Sequence, residues 1–145
     1  MFVKTIVETK HVNLISVAPT DLVPDVAKLF RREQIGFALV KDAQGNLIGS
    51  VSERDIIHAL ADIGDLSLAH VEDVLTVNVV TCDINESLEM ARQIMTHERT
   101  RHVVVMESGA IAGIVSIGDL IKHSLDECRI DTTEMVGYIN GQGYN

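Results

Sequence analysis

The chain spells out one short pattern twice. Gly49-Ser50-Val51-Ser52-Glu53-Arg54-Asp55 returns 64 residues later as Gly113-Ile114-Val115-Ser116-Ile117-Gly118-Asp119. Upstream of each copy, Glu33 to Val40 parallels Glu98 to Val105 at an offset of 65. The one-residue difference falls where Ala43-Gln44-Gly45-Asn46 faces Glu107-Ser108-Gly109-Ala110, and Gly/Asn-rich hairpin turns absorb such a deletion. A repeat at this period means one supersecondary unit used twice. In a chain of 145 residues each copy is too small to bury a sufficient core alone, so the copies must share one.

Both copies read as β-α-β-β-α. A short extended piece, Asn13 to Val17 and Val77 to Thr81, leads into a helix. The first helix has Thr20 or Asp21 available as N-cap and Pro24 in its first turn. Val23, Val26, Ala27 and Phe30 keep the spacing of one buried face. Its counterpart is capped by Asn85 or Ser87 and buries Leu88, Ala91, Ile94 and Met95. Two apolar runs then pair across each hairpin: Phe37 to Val40 with Leu47 to Val51, and His102 to Met106 with Ile111 to Val115. A last helix follows, about Arg54 to Asp62 and about Asp119 to Glu127. Hydrophobic residues form 46% of the chain, and their Ile/Val bias suits strands lying between helices. The expected class is α/β (α+β), built as a pseudo-twofold pair. Its divisions are an N-terminal extension at 1–12, a first unit at 13–68, a second at 69–128 and a tail at 129–145.

This doubled unit, with glycine, an apolar pair, Ser/Thr and an Asp three positions on, resembles the cystathionine-β-synthase (CBS) domain. The likeness runs from about Asn13 to Glu127. Ser52-Glu53-Arg54-Asp55, Ser116-Ile117-Gly118-Asp119-Leu120-Ile121-Lys122 and the tail Tyr138-Ile139-Asn140-Gly141 are similar to those of stand-alone CBS-pair proteins. A lone S-x-x-D carries almost no weight; two in register inside matching patterns carry a great deal. The resemblance implies a non-catalytic module that binds an adenine nucleotide or related adenosyl ligand in clefts between its two units. AMP, ADP, ATP, NAD and S-adenosylmethionine all present the necessary ribose diol.

Chemistry supports that role at the strand-to-helix junctions. Ser52 and Ser116 end strands, and Asp55 and Asp119 lie in the next helical turn, whose free N–H groups favour anions. A serine hydroxyl donates to phosphate, and a carboxylate accepts from two vicinal hydroxyls. The family gives its matching Ser/Thr and Asp these tasks. Ser plus Asp at a helix start is also an ordinary capping arrangement, and the doubled context is what favours the ligand. Arg99, Arg101 and His102 cluster before Val103, where basic residues in the resembling family reach phosphates; a solvated basic strand edge is the plainer explanation. The first copy has Ile35-Gly36-Phe37 there, while Arg54 faces Gly118. Two chemically unequal sites are therefore expected. Ile15, Val17, Ala18 and Val80, with Cys82, lie where an adenine slot would form, and Thr81 is a further hydroxyl.

The remaining chemistry is exclusion. A formal net charge of −9 disfavours nucleic acid, which needs a basic face. Six scattered histidines and two isolated cysteines, Cys82 and Cys128, offer no metal spacing. No nucleophile elbow, P-loop or dinucleotide fingerprint is present, and the resemblance, to a family whose members regulate rather than catalyse, implies neither catalysis nor a resident cofactor. With no apolar run of membrane-spanning length and no leader at Met1-Phe2-Val3-Lys4-Thr5, a cytoplasmic protein is expected. The resemblance implies a homodimer through the helices and an unidentified effector protein. A ligand-free scaffold or dimerisation module is the alternative. A third reading makes the chain a subunit serving a separate enzyme or transporter, with the Ile130 to Asn145 tail, which carries Met135, Tyr138, Ile139 and Tyr144, as the contact.

Overall fold

Each copy of the repeat closes a three-stranded sheet, and the copies do so in the same register. In the computed structural model, residues 1–10 and 14–139 are described. They divide into two compact units, one of residues 14–80 and one of 1–10 with 81–139. Expectations that fall on Asn13, Asn140, Gly141 and Tyr144 lie outside the described residues.

The first unit contains β1 (Ser16–Val17), α2 (Val23–Glu33), β2 (Phe37–Lys41), β3 (Leu47–Ser52), α3 (Glu53–Ile63) and α4 (Val71–Val74). The second contains α1 (Val3–Thr9), β4 (Thr81–Asp83), α5 (Leu88–His97), β5 (His102–Glu107), β6 (Ala110–Ser116) and α6 (Ile117–Ile139). In the first sheet β1 runs parallel to β2, with Ser16 opposite Leu39, and β2 antiparallel to β3, with Phe37 opposite Ser52. In the second, Thr81 lies opposite Val104 and His102 opposite Ser116. The irregularity between Val40 and Lys41 recurs between Val105 and Met106. Ala38, Leu39 and Val40 are all buried, as are Val103, Val104 and Val105, so both faces of each central strand are covered. That is the environment Ile/Val-rich runs without alternation require.

Several local expectations change. Ala27 is exposed, and the buried stripe of α2 is Val23, Val26 and Phe30. Neither Thr20 nor Asp21 caps that helix. Leu22 is its N-cap, and Val23 N–H reaches the Ala69 carbonyl at 2.8 Å; Asp21 instead accepts from Ala18 N–H at 2.9 Å. Of the two residues proposed to cap α5, Ser87 does so, accepting from Met90 N–H at 3.0 Å. The extended piece expected at 77–81 begins only at Thr81.

The compact units are not the sequence repeats. Residues 69–80 precede β4 in sequence yet belong with the first sheet, and 1–10 belong with the second. The two crossings match. Val71 and Glu72 N–H groups bond to the carbonyls of Asp21 and Pro19, as Val3 and Lys4 N–H groups bond to those of Glu86 and Ile84. What permits the approach is a missing side chain on the third strand. A Cβ on Gly49 would stand 2.6 Å from the Thr76 carbonyl oxygen, and one on Gly113 would stand 3.3 Å from Val7 Cγ1.

Candidate ligand-binding site

The strand-to-helix junctions acquire their geometry from capping. Ser52 Oγ accepts from Asp55 N–H at 3.1 Å, and Asp55 Oδ2 accepts from Ser52 N–H at 2.9 Å and from Ser52 Oγ at 3.0 Å. At the second junction Ser116 Oγ accepts from Asp119 N–H at 3.2 Å, and Asp119 Oδ2 accepts from Ser116 N–H at 2.8 Å. The reciprocal bonds satisfy first-turn amides and fix both carboxylates at helix N-termini. In each pair Oδ2 does the capping, and at Asp55 the other oxygen meets a further donor.

What meets these carboxylates differs. At the first junction Thr76 Oγ1 donates to Asp55 Oδ1 at 3.0 Å, while the Thr76 backbone pairs both ways with Ser50. At the second, Lys10 Nζ lies 2.6 Å from Asp119 Oδ2 and 3.2 Å from the Ile114 carbonyl oxygen. Burial acts to raise the Asp119 carboxyl, but Lys10 and the Ser116 hydrogen bonds outweigh it and hold the group below its ordinary value. The half-buried His102 imidazole is pushed down to about 4, first by burial, then by the Lys10 and Arg101 cations, with Asp119 opposing. His102 is therefore neutral near pH 7.

The other residues singled out from sequence distribute between the units. Arg54 is exposed in the first turn of α3. Ile15 is half-buried, with its carbonyl bonded to Leu39 N–H, Val17 is in the first core, Ala18 is half-buried beside it, and Val80 is half-buried at the end of the same unit. In the second unit Thr81 is exposed on β4 and Cys82 is buried, its thiol pushed up to about 11 by burial and then by Glu86 and Asp83. Arg99 occupies a left-handed turn, φ 54°, at the end of α5. Arg101 is exposed, and its carbonyl accepts from Ile117 N–H at 2.8 Å. The structure thus gathers Ser52, Arg54 and Asp55 at one junction and Arg101, His102, Ser116 and Asp119 at the other. Lys10 and Thr76 escaped the sequence reading. The bare glycines at 49 and 113 were the available hint that some segment crosses there.

A model of the CBS domain matches residues 3–62 and again 71–126. Among curated proteins, the CBS domain-containing protein YhcV of Bacillus subtilis is 27% identical, over 81% of this chain and 84% of its own length. The solved CBS-domain containing protein ATU1752 from Agrobacterium tumefaciens is 38% identical with a TM-score of 0.79, covering 83% of this chain and 91% of that one. Two more distant structures share the fold. One is protein PAE2072 from Pyrobaculum aerophilum, complexed with AMP (24% identity, TM-score 0.71, 82% and 89% covered). The other is the CBS domain pair of protein MJ0100, in complex with 5-methylthioadenosine and S-adenosyl-L-methionine (23%, 0.73, 88% and 98%).

Proposed function

The chain belongs to the CBS-domain family, carrying two copies of the domain, and from that premise we propose that it is a non-catalytic sensor of a phosphorylated adenosyl ligand. One observation carries this reading. Two carboxylates, Asp55 and Asp119, are fixed in register at the N-termini of α3 and α6, and one has a lysine, an arginine and a neutral histidine about it. A diol needs the carboxylate and a phosphate needs the cations. AMP in one structural neighbour and S-adenosyl-L-methionine with 5-methylthioadenosine in another support an adenosyl ligand in general, and the cations at the Asp119 junction favour one with a phosphate. Binding would shift a conformational equilibrium that an effector protein in the cytoplasm reads.

A second reading, assembly, has its own support. Ile57, Leu60 and Ile63 on α3 and Ile121 and Leu125 on α6 are each more than half exposed. Apolar side chains so placed favour a homodimer through these helices, and sedimentation at micromolar concentration checks it. Sensor and dimer are compatible; a dimer without ligand is the scaffold alternative.

The deciding experiment is a thermal-shift panel of AMP, ADP, ATP, NAD and S-adenosylmethionine on the native chain and on the Asp55→Asn/Asp119→Asn variant. Asparagine retains an acceptor oxygen for the cap and lowers the pull on a diol. At about 100 times its dissociation constant a ligand adds about 2.7 kcal/mol. A shift with at least one of them that the variant loses supports the sensor. No shift with any ligand leaves the scaffold.

A further inference from the structure

The two junctions solve one hydrogen-bonding problem with opposite electrical results. Ser50 and Ile114 hold equivalent positions on the third strands. In the first unit the Ser50 carbonyl is met by the Thr76 N–H at 2.8 Å and Asp55 by the Thr76 hydroxyl. In the second unit a single ammonium, Lys10 Nζ, meets both the Ile114 carbonyl and Asp119. Two neutral donors have been exchanged for one cation.

The surroundings accentuate the exchange. Gly36 corresponds to Arg101, and Glu53 to Ile117: Glu53 N–H bonds to the Gly36 carbonyl as Ile117 N–H bonds to that of Arg101. Over Gly36 lies the Glu53 carboxylate, whose Oε2 would be 2.9 Å from a Cβ there. The Asp55 junction therefore sets two carboxylates against Arg54. The Asp119 junction sets one carboxylate against Lys10 and Arg101, with His102 neutral. The hydrogen bonds to the Asp119 carboxylate from Lys10 Nζ and from Ser116 N–H both fall on Oδ2.

We propose that Lys10 is the selectivity residue of the Asp119 junction, making it prefer a ligand that carries a phosphate over the same ligand without one. The inference rests on the adenosyl reading given above. A bare carboxylate would attract the diol and repel a phosphate a few ångströms away. Lys10 cancels that repulsion locally, and Arg101 then turns the field positive. The side chain is held for the task, 30% exposed and fixed at two acceptors, rather than trailing in solvent where its charge would be screened.

The test is calorimetric titration with AMP and with adenosine, which share the diol and differ in the phosphate. The native chain, Lys10→Met and Lys10→Arg are compared, each in an Asp55→Asn background so that the Asp119 junction reports. One charge at this range changes phosphate affinity by about tenfold. Lys10→Met should therefore weaken AMP about tenfold and adenosine by roughly threefold or less, and Lys10→Arg should keep the preference. Equal losses for both ligands, or none, overturn the proposal and leave Lys10 a structural ion pair. Should neither ligand bind the parent, the adenosyl reading itself falls, and the inference with it. The converse variant does not depend on Lys10→Met folding. Thr76→Lys in an Asp119→Asn background should raise the AMP-over-adenosine preference at the Asp55 junction, and an unchanged preference counts against the proposal.

Discussion

The Asp55 and Asp119 junctions have nearly the same backbone and nearly the same capping bonds, yet a different segment docks on each. Thr76 joins the first through its backbone, forming an antiparallel bridge with Ser50. Lys10 joins the second through the tip of a long side chain, after α1 has packed Val7 over Gly113. A backbone lock is rigid and neutral, and a side-chain lock is compliant and charged. Duplication gave the two junctions one scaffold, and the segments preceding each repeat made them unequal.

The largest expected contrast lies in the glycines that admit those segments. Gly49→Ala places its Cβ 2.6 Å from the Thr76 carbonyl oxygen, a backbone atom already bonded to Ser50 N–H at 2.9 Å. It cannot withdraw without breaking the bridge. Gly113→Ala meets Val7 Cγ1 and Cγ2 at 3.3 Å, and a small shift of α1 relieves that. Overpacking costs about 1–3 kcal/mol. Urea denaturation should put Gly49→Ala near the top of that range and Gly113→Ala at about 1 kcal/mol or below. Equal costs would mean the two locks are mechanically alike.

Next in size is a difference in acid sensitivity. His102 and Phe37 hold equivalent positions, so only the second unit carries a titratable ring there. Burial, aided by Lys10 and Arg101, holds the imidazole down to about 4, against about 6.5 in an unfolded chain. Between those values the unfolded chain binds a proton that the native chain does not, so stability falls as pH drops from about 6.5 to about 4. With the ring only partly buried and its charge partly screened, the whole window is worth about 2 kcal/mol or less. Asp119 acts in a lower window: its depressed carboxyl adds stability that goes only as pH falls below the ordinary carboxylate value. Chemical denaturation of His102→Phe at pH 7, 5.5 and 4.5 should show a flatter acid limb than the parent. An unchanged slope places the sensitivity elsewhere.

How much of this was legible follows from which contacts are local. The repeats and the hairpins were readable, and the α5 cap was narrowed to Asn85 or Ser87, because these features are written within a few residues. The Val3, Ile6, Val7 spacing of α1 was readable in principle, but nothing at Phe2 signals a start, because the first-turn amides bond to Glu86 and Ile84. Ala27 has helical spacing and a small side chain, and only the sheet decides which edge of α2 it faces. Ser52, Asp55, Ser116 and Asp119 could be named as candidates from the doubled motif. Lys10 could not, because its partner Asp119 is 109 residues away. Contacts at such separation leave no periodic trace. Their sign was the bare strand glycine, which says that something approaches without saying what.

The smallest effect is the sharpest comparison, because its sign should oppose that of Lys10→Met. Thr76→Val removes the 3.0 Å bond from Thr76 Oγ1 to Asp55 Oδ1 and keeps the backbone bridge to Ser50. Thr76 is exposed, so in the variant water replaces its hydroxyl at Asp55 Oδ1, at a cost of about 1 kcal/mol or less. A ribose diol at Asp55 has to compete with that hydroxyl for the oxygen not engaged in capping. Removing the competitor should tighten adenosine there by about two- to fivefold, an amount matching the bond no longer displaced. Titration in an Asp119→Asn background isolates the effect. Tighter adenosine with Thr76→Val and weaker AMP with Lys10→Met would show that one structural position acts as a competitor in one unit and as a counter-ion in the other. Weaker adenosine with Thr76→Val would make the threonine a ligand contact, and the junctions would then differ in charge alone.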